Sequence, residues 1–252
     1  MHPVLIELGP FKLYSFGVFI AAAFLAGMAW TMREARLRGL DSGIVPGIGF
    51  HVLVGGLLGS RVLYVVLNPD FMTQDYLALV KVWKGGFVFL GGALAAALFM
   101  IINLYLKKQK VLPWLDSAAP GIALGVFLGW LGCLAAGCGY GRPSDLAWSI
   151  MLTHPDAMGP LFSRLHPAQA YHALAGLACF IVLVLIKNYF RAAGKLAGVF
   201  IVMYSLLRML ADMWRGDIDP AFMNVNQALG LAVAAAGLLL LYQPFGTGKT
   251  KQ

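Results

Sequence analysis

Charged side chains are scarce in this sequence of 252 residues. They make up 12% of it, against about 25% in ordinary soluble domains. Hydrophobic residues account for 60%, and the mean hydropathy is +0.77. The 30 glycines point the same way, because glycine is more frequent in membrane helices than in soluble ones. The composition argues against a soluble domain and predicts a protein that crosses a membrane several times.

Acidic residues are rarer still, 11 against 19 basic ones, which gives a formal net charge of +8. Nucleic-acid binders carry their excess charge as a basic stripe or patch. Here the basic residues gather in short connectors, "MREARLRG", "LKKQKVLP" and "IKNYFRAAGK", and in a tail with Lys249 and Lys251. We therefore expect no nucleic-acid partner. By the positive-inside rule, these four segments are predicted to be cytoplasmic.

Apolar runs long enough to cross the membrane, roughly 20 residues for about 30 Å of hydrocarbon, recur along the whole chain. The seven predicted spans are about 14–32, 44–67, 85–106, 115–136, 167–189, 195–213 and 226–242. The predicted fold is all-α, a polytopic membrane protein with residues 1–252 in one membrane domain. The charge bias places the N-terminus and the long loop 137–166 outward and the C-terminus in the cytoplasm.

Four of the ionisable residues inside or next to these apolar runs indicate a site. They are Arg61 in "GGLLGSRVLYVVL", and Arg208, Asp212 and Arg215 in "MYSLLRMLADMWRG". Charged residues at membrane depth cost about 2.5–3.5 kcal/mol and usually face a protein interior or a cavity. The spacing of four lets Arg208 and Asp212 pair on one helix face. Guanidinium groups suit phosphate, and the abundant phosphates at this depth belong to phospholipids.

Cysteine is nearly absent, with three residues in all, which excludes a disulfide-based scaffold. Cys133 and Cys138 stand five apart in "GWLGCLAAGCGYGRPSD", where a span gives way to a polar loop. A disulfide, packing and a reactive thiolate near Arg142 all remain open. A metal site is not expected, because the spacing is not that of a zinc ligand pair. Cys179 lies in mid-span and is predicted to pack.

Polar side chains also gather at the start of the fifth span, in "HPAQAYH". Gln169 lies three residues from both His166 and His172, so the three share a helix face. Taken one at a time, the two histidines are expected to be interfacial side chains. Trp148 and Trp214 fit an aromatic belt at the membrane surface.

Several motifs, in order along the chain, resemble the bacterial prolipoprotein diacylglyceryl transferase family. They are "IELGPFKLYSFGVFI", "LLGSRVLY", "KVWKGGFVFLGG", "GWLGCLAAGCGYGRP", "HPAQAYHAL", "MYSLLRMLADMWR" and "VNQALG". The resemblance implies seven helices in the bacterial cytoplasmic membrane with an outward active site. It also implies transfer of the diacylglyceryl group of phosphatidylglycerol to the thiol of a lipobox cysteine in a secreted precursor, with release of glycerol phosphate. No cofactor is expected.

The chain departs from the pattern of that family at positions that the resemblance marks as functional. Leu90 stands where the family has a histidine often assigned as base, and Trp130 where it has an arginine thought to hold lipid phosphate. Cys133, Cys138 and Tyr14 replace an asparagine, a glutamate and a histidine. Leucine cannot take a proton, and losing a general base typically costs about 10²–10⁴-fold in rate.

The candidate site combines the retained polar residues with the two cysteines. The catalytic candidates are Cys138, Cys133 and Arg208, and the substrate-binding candidates are Arg61, Arg142, Tyr64, Gln169, Tyr171, Tyr204, Asp212 and Arg215. The guanidinium groups of Arg61 and Arg208 are expected to converge on a pocket for an anionic phospholipid headgroup, above all phosphatidylglycerol.

Three functions stay open. The first is a phospholipid-dependent transferase. It would either modify a lipobox precursor although it lacks the histidine base of the family, or carry out a different lipid reaction. In that reaction Cys138 or Cys133 would be a covalent nucleophile or acceptor. The second is a catalytically inert relative that binds lipid or lipoprotein. The third is a membrane thiol oxidoreductase using Cys133 and Cys138.

Overall fold

The computed structural model describes residues 2–9, 11–68, 86–190 and 192–242. Its seven long helices are α1 (Ser15–Leu37), α2 (Val45–Leu67), α3 (Phe89–Leu106), α4 (Val111–Ala136), α5 (Ala168–Ile186), α6 (Lys195–Asp212) and α7 (Pro220–Tyr242). A 3-10 turn, Ser42–Ile44, precedes α2. Residues Arg191, Lys249 and Lys251, which contribute to the predicted charge bias, lie outside the described residues.

Six of these helices are long and apolar enough to cross a membrane. The remaining one, α6, has the length of a span, 18 residues, but carries Lys195, Arg208 and Asp212 along it. The all-α, polytopic membrane prediction is therefore confirmed. Each predicted span corresponds to one observed helix, with ends that differ by at most six residues.

Short strands lie at the ends of the helices. An antiparallel hairpin, β1 (Val4–Leu8) with β2 (Phe11–Tyr14), leads directly into α1. A second pair, β3 (Ile150–Met151) with β4 (Arg164–Leu165), folds the loop between α4 and α5. These strands were not predicted, because each is too short to show an alternating pattern that stands out from a loop.

The chain divides into two compact units, residues 39–111 and residues 1–38 with 112–252. In the smaller unit, α2 packs on α3 through glycines: a Cβ atom on Gly59 would clash with Ala95 and with the backbone of Gly91. Small residues at such positions let two backbones approach closely, which is how membrane helices gain packing energy.

The core of the larger unit lies between α4, α5 and α6. Its buried members include Ala123, Cys179, Leu183 and Phe200, so the predicted packing role of Cys179 is confirmed. Asp116 of α4, 1% exposed, accepts hydrogen bonds from the backbone N–H groups of Gly194 and Ala197, both 2.8 Å long. A carboxylate here satisfies donors that the first turn of α6 leaves without partners.

Lys195 makes a comparable contact between the start of α6 and the C-terminal end of α7. Its Nζ donates to the carbonyl oxygens of Leu240 and Leu241, at 3.2 and 2.6 Å. A cation at the C-terminal end of a helix complements the helix dipole. Buried polar contacts therefore fix the start of α6, where Asp116 joins it to α4 and Lys195 joins it to α7.

We expect Gly59→Leu to destabilise the smaller unit by about 1–3 kcal/mol, since the new side chain must force α2 away from α3. Chemical unfolding in detergent micelles measures this loss. Gly47→Leu is the matched control, because a Cβ atom on Gly47 of the same helix meets nothing within 4 Å. Equal stability of the two variants would contradict the packing argument.

Candidate functional site

The candidate site forms where α4 ends, α5 begins and α6 ends, all within the larger unit. Gly137 ends α4 with φ of +81°, a left-handed conformation common at helix C-termini, and its N–H donates to Cys133 O. The loop beyond then pairs with the segment after α6: Arg142 N donates to Trp214 O and Gly216 N to Tyr140 O, both at 2.9 Å. These hydrogen bonds join the loop that carries Cys138 to the segment that follows α6.

Asp212 lies at the centre of the site and is 2% exposed. Its Oδ2 is 3.5 Å from Arg208 Nε, so the predicted pair on one helix face is present. Its Oδ1 is 3.5 Å from Arg215 Nη1 and 3.2 Å from His172 Nε2. Arg215 also makes two bonds to Asp217, of 2.9 and 2.7 Å. One buried carboxylate therefore contacts two guanidinium groups and one imidazole.

Trp130 and His172 stack face to face beside this carboxylate. Their ring centroids are 4.0 Å apart and the planes differ by 8°, while the guanidinium carbon of Arg215 lies 5.5 Å from the centre of the Trp130 ring. The Trp130 side chain is also hydrogen-bonded to Tyr204. Trp130 thus joins α4 to α5 and α6. A cation over an indole face is favourable, so the ring helps to hold Arg215.

Gln169 and His172 keep polar atoms without partners in a buried position. Both residues are 0% exposed. Within the described ranges neither polar atom of the Gln169 amide and neither ring nitrogen of His172 makes a hydrogen bond of normal geometry, although His172 Nε2 lies 3.2 Å from Asp212 Oδ1. Leaving a buried polar group unpaired costs about 1–3 kcal/mol. Unsatisfied buried groups in a folded protein call for an explanation, and one is that a ligand or water completes them.

Cys133 and Cys138 lie together, half-buried, with their thiols reduced and hydrogen-bonded to each other. Cys138 is outside the span, in the loop. The hydrogen bond from Cys133 holds the pKa of the Cys138 thiol below its ordinary value, although burial works against this shift. Thiolate character is what makes a cysteine nucleophilic, so the lowered pKa favours reactivity at Cys138.

A cavity of about 340 Å³ lies beside the cluster, lined by Leu146, Trp148, His166, Tyr171 and Trp214. The Tyr171 hydroxyl accepts a hydrogen bond from Trp148 Nε1 at 2.9 Å and lies 3.2 Å from His166 Nδ1. The predicted aromatic belt residues Trp148 and Trp214 therefore form a pocket wall. Such apolar cavities with a few polar atoms are typical ligand sites.

Arg142 is exposed and lies at the edge of the site. Its Nε donates to the backbone oxygen of Arg215 at 3.1 Å. Three arginines (Arg142, Arg208 and Arg215) face two carboxylates (Asp212 and Asp217) in this region, which leaves one net positive charge. The Arg208 side chain is 33% exposed and that of Asp212 only 3%, so the arginine is the accessible member of the pair.

Arg61 and Tyr64 belong to the smaller unit. Arg61 is 1% exposed, and its Nη1 donates to the Gly86 carbonyl oxygen at 2.9 Å. Its guanidinium carbon lies 5.7 Å from the centre of the Tyr64 ring. Leu90, in the same unit, is 39% exposed. The convergence of Arg61 and Arg208 on one pocket stays a prediction.

The contacts that His172 and Trp130 make in the site were not predicted from the sequence. His172 was expected at the interface, yet it is buried and contacts Asp212. Its spacing of three from Gln169 on a largely apolar helix was the available signal, because two polar residues on one face indicate a buried polar partner. Asp116, a carboxylate inside an apolar span, carried the same signal and was also missed.

We expect Asp212→Asn to lower the free energy of unfolding by about 3 kcal/mol, the lower end of the range for a broken buried ion pair, since Arg208 is partly solvated. Asparagine keeps the shape but leaves two guanidinium groups without their shared charge. Chemical unfolding in detergent micelles measures the change. Asp156→Asn, which breaks the exposed pair with Lys12, is the control and should unfold like the wild type; a comparable loss in both variants would contradict the assignment.

The chain is similar to known proteins over nearly its whole length. The sequence model of the prolipoprotein diacylglyceryl transferase family matches residues 3–243. Phosphatidylglycerol–prolipoprotein diacylglyceryl transferases from Solidesulfovibrio magneticus and Verminephrobacter eiseniae are 31% and 30% identical to this chain. Both alignments cover 95% of this chain, and 93% and 92% of those proteins. The enzyme from Clostridium tetani is 26% identical, over 95% of this chain and 96% of its own length. This chain therefore belongs to the prolipoprotein diacylglyceryl transferase family.

Proposed function

We propose that this chain transfers the diacylglyceryl group of phosphatidylglycerol to the cysteine thiol of a lipobox-bearing precursor protein. The observation that carries the proposal is the Asp212 cluster, in which a buried carboxylate orients two guanidinium groups at the end of a helix in a membrane protein. The names of the relatives give the reaction, and the cluster supplies the groups that its leaving phosphate requires.

In this reaction the precursor sulfur attacks the carbon of the diacylglyceryl group that is bonded to a phosphate oxygen. A C–S bond forms, the C–O bond to phosphate breaks, and glycerol phosphate leaves with the electron pair. Negative charge grows on the phosphate as the bond breaks. Preorganised donors aimed at developing charge are usually the largest catalytic contribution, and a guanidinium fork binds two phosphate oxygens at once.

Arg208 is the residue that we assign to the leaving phosphate, because it is the partly exposed guanidinium of the cluster. Asp212 holds it in position, and Tyr204 lies one turn earlier on the same helix. Arg142 adds positive charge at the rim. Arg61 and Tyr64 are proposed as further contacts to the lipid, since a guanidinium inside an apolar helix marks a substrate pathway more often than a structural role.

The cavity beside the cluster suits the apolar part of a substrate. Tyr171 belongs to this cavity, and Gln169 precedes it by two residues with an amide that can still donate and accept. We assign Tyr171 and Gln169 to substrate binding on this basis. We place the site at the outer face of the bacterial cytoplasmic membrane, with the N-terminus outward and the C-terminus inside, as the basic connectors indicate.

Expression of the chain in bacteria depleted of their own transferase tests the proposal. The wild-type chain should restore a lipidated precursor, detected by its mass. Arg208→Lys keeps the charge but loses the bidentate fork and should slow transfer about 10²–10³-fold, the cost of removing one donor to a developing charge. Arg33→Lys, whose side chain is 56% exposed, is the matched control. Failure of the wild type to lipidate any precursor would favour an inert, lipid-binding relative.

A second candidate function rests on the lowered pKa of Cys138. As a covalent nucleophile for an acyl group, Cys138 would form a thioester that a second acceptor can cleave. As a diacylglyceryl acceptor it would form a thioether, which is not labile and would end the reaction. The acyl reaction is therefore the form of this candidate that allows turnover.

Cys138→Ser separates the two functions. Under the proposed transfer to a precursor thiol, the variant should keep a rate within about three-fold of the wild type, because no step passes through Cys138. An acyl-transfer reaction that depends on the thiolate should lose about 10²-fold or more. Intact-protein mass spectrometry in the presence of lipid adds a second readout, since an acyl-enzyme is heavier than the free chain; Cys179→Ser, in the apolar core, is the control.

A further inference from the structure

His172 is a buried imidazole in the site for which the transfer mechanism above has no role. It is 0% exposed, its Nε2 lies 3.2 Å from Asp212 Oδ1, and its ring stacks on Trp130 at 4.0 Å. Three elements therefore hold it: α5 carries it, α6 supplies the carboxylate and α4 supplies the indole. Such a fully positioned histidine has the setting of a proton-transfer group.

The contact with Asp212 determines which ring nitrogen can take a proton. A carboxylate next to Nε2 favours the tautomer with hydrogen on Nε2, as in other carboxylate–histidine pairs. Nδ1 then carries the lone pair. Within the described ranges Nδ1 is buried and has no hydrogen-bond partner, so a group that reached it would meet an unsatisfied lone pair.

Charged groups of both signs lie near the imidazole ring. The charged groups that face it are Asp212, Arg215 and Arg208, all at the end of α6, and the face towards α4 is the uncharged Trp130 ring. The two arginines oppose a positive charge on the imidazole, while Asp212 stabilises it. A base needs such a balance, because it must accept the proton and later release it.

We infer that His172, oriented by Asp212, accepts the proton of the acceptor thiol, the role that Leu90 cannot fill. This inference rests on the proposed function and deepens it. The amide of Gln169, one turn away on the same helix face, is also buried without a partner among the described residues. The orphaned atoms of both residues are then the ones that a bound substrate satisfies.

The S–H proton of the precursor cysteine passes to His172 Nδ1, giving an imidazolium paired with Asp212, and the thiolate attacks the glyceryl carbon. As the C–O bond breaks, glycerol phosphate departs as a phosphomonoester dianion beside Arg208. The proton on Nδ1 then passes to this phosphate or to water, which restores the neutral ring.

The experiment compares two acceptors on purified, full-length variants in phosphatidylglycerol vesicles. One is a synthetic peptide with a lipobox cysteine, and the other carries selenocysteine, whose selenol is already ionised at neutral pH and needs no base. His172→Phe keeps a flat ring for Trp130 to stack on but cannot accept a proton. We expect this variant to lose about 10²–10⁴-fold in rate with the cysteine peptide, and to stay within about ten-fold of the wild type with the selenocysteine peptide.

The experiment includes one control variant and a second variant of His172. His51→Phe removes another imidazole, exposed on α2, and should leave both rates unchanged. His172→Gln is measured in parallel, so that the test stands if the phenylalanine variant fails to fold; it should show the same selective loss.

Equal loss with both peptides would overturn the inference, because His172 would then have a structural role only. A rate within about three-fold of the wild type with the cysteine peptide would overturn it too. If the wild-type chain modifies neither peptide, the proposed function itself fails, and this inference with it.

Discussion

The burial of Asp212 at the end of α6 is the constraint on which the site depends. An isolated charge in such a place would be very costly, so partners must surround it, and Arg208, Arg215 and His172 do so from two helices. The same contacts fix the directions of those three side chains. Asp116 and Lys195 hold the start of α6, and backbone hydrogen bonds join the segment after its last turn to the loop that carries Cys138. Rigidity of this kind is what electrostatic catalysis requires.

The helices could be predicted from the sequence because hydrocarbon thickness sets a length that apolar runs must meet. Every predicted span has its counterpart, including α6, whose charges weaken its apolar signal. Glycines mark the close helix contacts, as Gly59 and Gly91 show, but their pairing could not be read from the chain, since a glycine does not specify its partner. The short strands β1 to β4 were missed, because they depend on hairpin contacts rather than on a periodic pattern.

The site was only partly predictable. Spacing alone placed Arg208 and Asp212 on one face, and the structure shows their pair. No spacing rule could bring Trp130 onto His172, because 42 residues separate them and only the packing of α4 on α5 does so. The proximity of Cys133 and Cys138 follows from the left-handed Gly137 between them, which turns the chain back over the end of α4. The relation between Arg61 and Arg208 remains a prediction.

We expect this chain, which has Leu90 in place of the family histidine, to perform the transfer through groups arranged around Asp212. The stoichiometry of the reaction tests this most directly, with purified chain, phosphatidylglycerol vesicles and a lipobox peptide. We predict one glycerol phosphate released for each peptide that gains a diacylglyceryl group, and no modified peptide when phosphatidylcholine, whose leaving group would be phosphocholine, replaces phosphatidylglycerol. Peptide left unmodified, with no glycerol phosphate formed, would contradict the account.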